Sequence, residues 1–472
     1  MGRPPVIKAL SEEKGCFSVM TASNSSETRL EQVTTSSTHS NSSCSCAESY
    51  PNIAIAGQGL DVKTFFTGAV ERAWKTRDAA AIRIPKSPRN VKFLSPRNAD
   101  IANYISSPAG FFEVHRHFMI GGSFLPSFHR AILLLLDHSP RLMLDAYSMA
   151  VKMLQRCRSW PSATPDPGDA GLDKAAHYIG MLGRLTASAM HHVHCAALTS
   201  MLGQLILVHN SMMRAPNANI ICQGTLLAIK PWLPALVEES DMDAVSLTLI
   251  SLNTILCLLH REIPVFRMPE TERLIVDRYL GLTAPLLPML YDLCVCSHHS
   301  KSKAVNDPPG DGQEDQYTDV EHRIYAWEPR IPYNLHAIYE APEAQNMLAQ
   351  CRLYRLTALL IIHRLRYPLG TEDERAGILA DSILDEMRTL PSRSVEGTTG
   401  FGLDFPLLVA MVERPEPAEK IHRTYDPYRF RLTMFSEETR QFARDVRSAY
   451  DTGFRGLWLD LVPEWLHGAF LP

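Results

Sequence analysis

From Phe111 onward, apolar residues recur three and four positions apart and show no sustained alternation. Leu133–Leu136, Ala146–Leu154, Lys174–Asn210, Asp241–Arg261 and Glu270–Leu280 each read as helical. A second helical block spans Pro342–Arg388, and a last helix runs from Ser436 to about Thr452. Turn-forming stretches separate them, including Ser159–Gly171, Arg214–Asn219 and Pro264. Ser240 with Asp243 makes a box-like start for the helix at 241, and Pro269 suits the first turn of the next. The clearest signal is Cys351–Arg375: Leu353, Leu356 and Leu360 share one face, and Tyr354, Ile361 and Leu365 share another. Arg352, Arg355, His363 and Arg366 form a polar strip interrupted by Leu359. A helix apolar around so much of its girth must be buried among other helices. Pro368 and Gly370 stop it, and Thr371 with Glu374 forms a predicted capping box for its successor. No strand–turn–strand signal recurs at hairpin spacing, so the expected fold is all-α, a multi-helix domain.

The N-terminal part differs in pattern. Ser18–Ser49 is rich in Ser, Thr and Asn and too poor in large apolar residues to offset the entropy of ordering, which predicts a disordered tail over residues 1–60. Residues 61–110 contain a helical segment, Asp61–Arg77, with Phe65, Phe66, Ala69, Val70 and Trp74 at helical spacing. A proline-punctuated linker follows at Ile82–Asn98, with SPRN at Ser87–Asn90 and again at Ser95–Asn98. Residues 111–472 form the helical body, with a polar, flexible insertion expected at 297–316 and a loop at Ser392–Gly402. No repeat occurs at solenoid periods.

Composition narrows the classes. Hydrophobic residues make up 45% and charged residues 21% of 472, and the formal net charge of −4 gives no global pull toward nucleic acid or anionic membrane. Ten scattered cysteines, and an N-terminus lacking the apolar segment of a secretory signal, lead us to expect a reduced, intracellular protein. The longest apolar runs, Ile132–Leu136 and Leu247–Leu259, fall short of the ~20 residues a bilayer requires, so no membrane association is expected.

Cys294-Val-Cys296-Ser-His298-His299 holds four potential metal ligands, but a single residue between the thiols suits a tetrahedral site poorly. Cys44 and Cys46 have the same spacing inside the tail. His191 and His194 share a helical face without an adjacent carboxylate partner, and His115 and His117 are no better supported. Gly121-Gly122-Ser123 lacks the context of a nucleophile elbow. Gly57-Gln58-Gly59 lacks the third glycine of a dinucleotide loop, and no phosphate-loop motif is present. The expectation is therefore no catalytic residue, no metal site and no cofactor. The one electrostatic feature is the linker: Arg83, Lys86, Arg89, Lys92 and Arg97 occur with no acidic residue between Asp78 and Asp100. Such a segment suits nuclear import or phosphate contact, or else a solvated linker.

Several phrases together resemble the central regulatory region of fungal transcription regulators of the binuclear zinc cluster class. They are EIPVFRMPETERLIVDRYLGLTAPLLPMLYDLC (Glu262–Cys294), AQCRLYRLTALLIIHRLRYPLGTEDERA (Ala349–Ala376), GFGLDFPLLVAMVERPEP (Gly400–Pro417) and FRGLWLDLVPEW (Phe454–Trp465). The resemblance runs from roughly Asp61 to the C-terminus. It implies an all-α regulatory domain in a nuclear protein acting on RNA polymerase II genes, often those of metabolic or secondary-metabolite pathways. Members of that class usually place six cysteines in Cys-x-x-Cys pairs, binding two zinc ions, ahead of this region. Residues 1–60 hold only Cys16, Cys44 and Cys46, so no zinc ligand carries over. Either a zinc-cluster segment is missing from this chain, or the implied partners, other transcription regulators or a second copy in a dimer, supply the DNA contact. The alternatives are a cytosolic helical adaptor and an enzyme working in a helical pocket with His191 or His194.

Overall fold

The computed structural model describes residues 96–108, 119–138, 193–212, 218–306, 316–390, 402–425 and 432–463, with isolated positions that include Phe111, His115 and Tyr147. Among these residues the regular structure is helical, with no strand beyond an isolated bridge at Asp277 and Gly281. The helices are α1 (Pro96–Ser106), α2 (Leu125–His138), α3 (Val193–Met212), α4 (Ala218–Ile229), α5 (Leu233–Glu238), α6 (Asp243–His260) and α7 (Leu287–Asn306). They continue with α8 (Thr318–Ala326), α9 (Leu335–Ile338), α10 (Ala341–Arg366), α11 (Asp373–Thr389), α12 (Asp404–Glu413), α13 (Pro415–Tyr425) and α14 (Leu432–Asp451).

Two central helices organise the packing. α6 is buried from Val245 through Leu259, and α2, α3, α4, α5 and α7 surround it. Its length and apolarity would suffice to cross a membrane, more than the apolar run alone suggested, but here they serve helix packing. Polar side chains survive in this core by bonding back to their own helix, as Thr254 does to the Ile250 carbonyl (2.8 Å). Arg261 ends α6 in the left-handed region (φ 57°), and the Glu262 N–H returns to the Cys257 carbonyl at 2.8 Å.

α10 is the second centre, packed by α7, α8, α11 and α12. Leu353, Tyr354, Leu360, Ile361 and Leu365 are all buried, and Leu356 is half-buried. The polar strip is engaged: Arg352 pairs with Glu386 (2.5 Å), Arg355 donates to the Trp327 carbonyl (3.0 Å), and His363 Nε2 bonds the Glu372 carbonyl (2.8 Å). Arg366 pairs with Glu321. α12, buried along its length, joins α10 to α11, α13 and α14.

Four local expectations need correction. Residues 270–280 are irregular rather than helical. Extended backbone lets Arg267 reach Asp292 (2.8 Å) and Arg273 reach Asp243 (2.6 Å), while Met268 and Ile275 enter the core. Residues 297–306, expected in a loop, continue α7, with Ser297 buried. Neither capping box forms. The Thr371 hydroxyl donates to the Pro368 carbonyl (2.6 Å), and left-handed Glu372 (φ 48°) precedes α11. Ser240 opens a 3₁₀ turn ahead of α6, and Asp243 pairs with Arg273 instead. The second SPRN belongs in part to a helix, because α1 begins at Pro96. The tail over 1–60, the Asp61–Arg77 segment, most of the linker and 307–315 lie outside the described residues.

Candidate functional site

Asp277 and Gly281 close a turn by exchanging two backbone hydrogen bonds (2.9 and 2.8 Å). Asp277 Oδ1 accepts the N–H groups of Tyr279 and Leu280, both at 2.8 Å, an Asx-type arrangement that replaces helix. Gly281 takes φ +55°, where an L side chain is strained. Gln350 of α10 lies against the turn and donates from Nε2 to the Tyr279 carbonyl (2.9 Å). Gly402 (φ +79°) also approaches this contact, where a Cβ would stand 2.2 Å from Gln350 Nε2 and 3.1 Å from the Tyr279 carbonyl oxygen. The three phrases DRYLGL, AQCRLYR and GFGLDF, far apart in sequence, therefore meet at one buried amide.

The neighbouring Arg278 points the other way and is fully buried. Its guanidinium donates to the Ala244 carbonyl (3.0 Å), Gln204 Oε1 (2.8 Å) and Thr248 Oγ1 (3.2 Å), and its carbon lies 4.1 Å from the Phe128 ring centroid. An aromatic cage follows. His115 and Phe111 flank Phe128 at 5.0 and 5.4 Å, His129 stacks on Phe111 at 4.4 Å, and His115 Nε2 bonds the Tyr147 hydroxyl at 2.8 Å. Burial pulls the Arg278 pKa down to about 10 and pushes Asp277 up. Burial, with the positive charges of Arg278 and His129, holds His115 well below its ordinary value. At neutral pH the cage thus contains a neutral imidazole beside a charged guanidinium stacked on a ring. These donors and acceptors bond protein groups of α3 and α6, and the arrangement works as a clamp between helices.

A second clamp holds α10 to α12. Arg364 makes bidentate bonds to Glu413, both at 2.7 Å, and both side chains are buried. The same guanidinium reaches Asp373 (2.7 Å) and the carbonyls of Pro368 (3.0 Å) and Thr371 (2.9 Å), which fixes the α10–α11 loop.

Other candidate residues are occupied structurally. Cys294 Sγ donates to the Thr254 carbonyl (3.5 Å), and Cys296 Sγ to that of Gln316 (3.4 Å). Burial raises both thiols, Cys294 strongly, which disfavours the thiolate a metal needs. His298 Nδ1 bonds the Arg261 carbonyl (3.1 Å), and His299 is exposed. Among the described residues no three His, Cys, Asp or Glu side chains gather as a metal would require. Ser123 sits in a 3₁₀ turn, Gly122–Phe124, and its N–H donates to Glu343 Oε1 (2.9 Å). His194 is half-buried on α3, whereas His117, His191, His192, Cys44, Cys46 and Gly57–Gly59 lie outside the described residues. Of the basic linker, Arg97 falls in the first turn of α1; Arg83, Lys86, Arg89 and Lys92 are outside. Sequence reasoning missed the Asp277–Arg278 turn, although Asp277 followed four residues later by Gly281 was a readable turn signal.

One surface stands out. Between α8 and α10, Trp327, Pro332 and Leu335 anchor an extended segment, and the Arg355 bond to the Trp327 carbonyl secures it. Tyr325, Ile331, Tyr333 and Ile338 are left exposed, Tyr333 by 98% and Tyr325 by 74%.

The class these features define is a helical domain whose buried polar groups join its helices. The family model described as "Fungal specific transcription factor domain" matches residues 172–417, just over half of the chain, and the chain belongs to that family. It is therefore a transcription regulator of fungal type, and its family is not one of enzymes. The match takes in the first three resembling phrases and ends before Phe454–Trp465. No curated protein and no solved structure matches the chain.

Proposed function

We propose that this protein modulates RNA polymerase II transcription from the nucleus, for instance of a metabolic or secondary-metabolite gene cluster, by acting through partner regulators. The observation that carries this reading is the family match over 172–417. A partner regulator, or a dimer that includes one, supplies the sequence-specific DNA contact. The linker cations Arg83, Lys86, Arg89, Lys92 and Arg97 serve nuclear import or phosphate contact. Support for a structural rather than catalytic use of the buried polar groups comes from the two clamps, where arginines bond carbonyls, amides and carboxylates of neighbouring helices.

Chromatin immunoprecipitation of the tagged protein from its own locus, alongside the 5′ end of its transcript, tests this. Enrichment at discrete promoters is expected. Its absence in cells that contain the protein would replace the proposal with the cytosolic adaptor.

A further inference from the structure

We propose that the exposed aromatic segment between α8 and α10 is a docking surface for the chain's own basic linker, residues 82–95. The proposal deepens the reading of that linker as an import or phosphate-contacting segment, by naming what occupies it when it is not so engaged.

The surface has both halves of the required chemistry. Tyr325, Ile331, Tyr333 and Ile338 present apolar area and two tyrosine rings to solvent. Exposed aromatic faces attract Lys and Arg as well as apolar side chains. Three nearby cations are engaged: Arg323 with Asp292 and Asp319, Arg330 with Glu272, and Arg355 with the Trp327 carbonyl. Glu328 and Glu340 add exposed carboxylates to this segment, Glu340 within the α10 capping box, so the segment carries acidic groups as well as rings. The linker is the complement. Arg83, Lys86, Arg89 and Lys92 alternate with Ile82, Ile84, Val91, Phe93 and Leu94, and no acidic residue interrupts them.

The tether reaches. Residues 82–95 end at Pro96, where α1 starts, and 14 extended residues span up to about 46 Å. From Pro96 to Ile105 is roughly 14 Å of helix. The Ile105 carbonyl bonds His129 of α2 (2.9 Å), the turn before α2 bonds Glu343 through Ser123 (2.9 Å), and Phe124 packs against Tyr339 in a tilted pair at 5.0 Å. Tyr339 adjoins Ile338 at the edge of the docking surface. Docking would cover the linker cations and make their availability depend on competition for this surface.

Limited trypsin digestion of the full chain tests the proposal, with cleavage at Arg29 as the internal reference. At low salt, cleavage at Arg83, Lys86, Arg89 and Lys92 is expected to be about tenfold slower than in the Glu328→Lys/Tyr333→Ser variant, and salt should narrow the gap. Both substituted positions are exposed, so the variant should fold, and an unchanged melting temperature checks this. A photocrosslinking residue placed at 333 should capture residues 82–95 of the same chain. Equal cleavage in both proteins, or crosslinks only to a second copy, would overturn intramolecular docking. Neither readout depends on transcription, so this inference and the proposed function fail separately.

Discussion

His115 lies between Phe111 and Phe128 with its Nε2 on Tyr147, and burial keeps it neutral. Its native pKa lies below the unfolded value, so its contribution is present above the unfolded pKa, near 6.5, and is lost as pH falls toward the native one. His129, also lowered by burial, acts in the same direction. Stability should therefore decline as pH drops from 7 to 5, and His115→Asn should show a shallower decline in denaturant titrations across that range. Arg364 presents a different case. Arg364→Leu leaves Glu413 buried without its cation, which costs about 3–5 kcal/mol, whereas Arg364→Leu with Glu413→Leu should recover much of that loss. Urea unfolding of the single and double variants measures the difference. At Gly402, alanine meets both a left-handed backbone and Gln350 Nε2, so a loss of at least about 1–2 kcal/mol is expected in the same assay.

At the scale of elements, α10 was legible because its apolar positions cover most of a 3.6-residue turn, and the fold buries them as that pattern requires. Leu360→Asp should prevent accumulation of soluble, cooperatively melting protein, since a buried unpaired carboxylate costs several kcal/mol. The segment 262–283 was not legible. Its helical spacing competes with three arginines whose partners lie on different helices, and ion pairing with core insertion prevails over local propensity. This yields a contrast between neighbours: Leu274 is 44% exposed and Ile275 1%. Leu274→Lys should shift the melting temperature little, and Ile275→Lys should lower it strongly. The α7 extension was missed for a related reason, because the polar run from Ser297 looks like a loop until Arg261 binds the Ser297 carbonyl (3.2 Å) and the Ser300 hydroxyl (2.8 Å).

For the whole molecule, two helical centres, α6 and α10, are joined through α7 and the 262–283 segment. The Asp277–Gly281 turn sits between them, with Arg278 directed to α3 and α6 and the Tyr279 carbonyl bound by α10. Disturbing the turn should loosen both centres together: Asp277→Ala should produce a single, lowered melting transition rather than two separate ones. In cells, neutralising Arg83, Lys86, Arg89, Lys92 and Arg97 should move the protein to the cytoplasm. Retained nuclear fluorescence of that variant would remove the import role.

The sequence by itself determined the all-α class, the burial of α10 and the resemblance to the regulator family, because these depend on local periodicity and on phrases that occur in order. It also singled out a basic linker without saying what that linker meets. Only the tertiary structure decided that residues 270–280 are not helical, that Gln350 receives two glycine-bearing turns, and that Arg278 and Arg364 clamp separate helices. Each of those outcomes depends on partners dozens of residues away, and pairing a buried charge outweighs the few tenths of a kcal/mol by which local propensity favours one backbone over another.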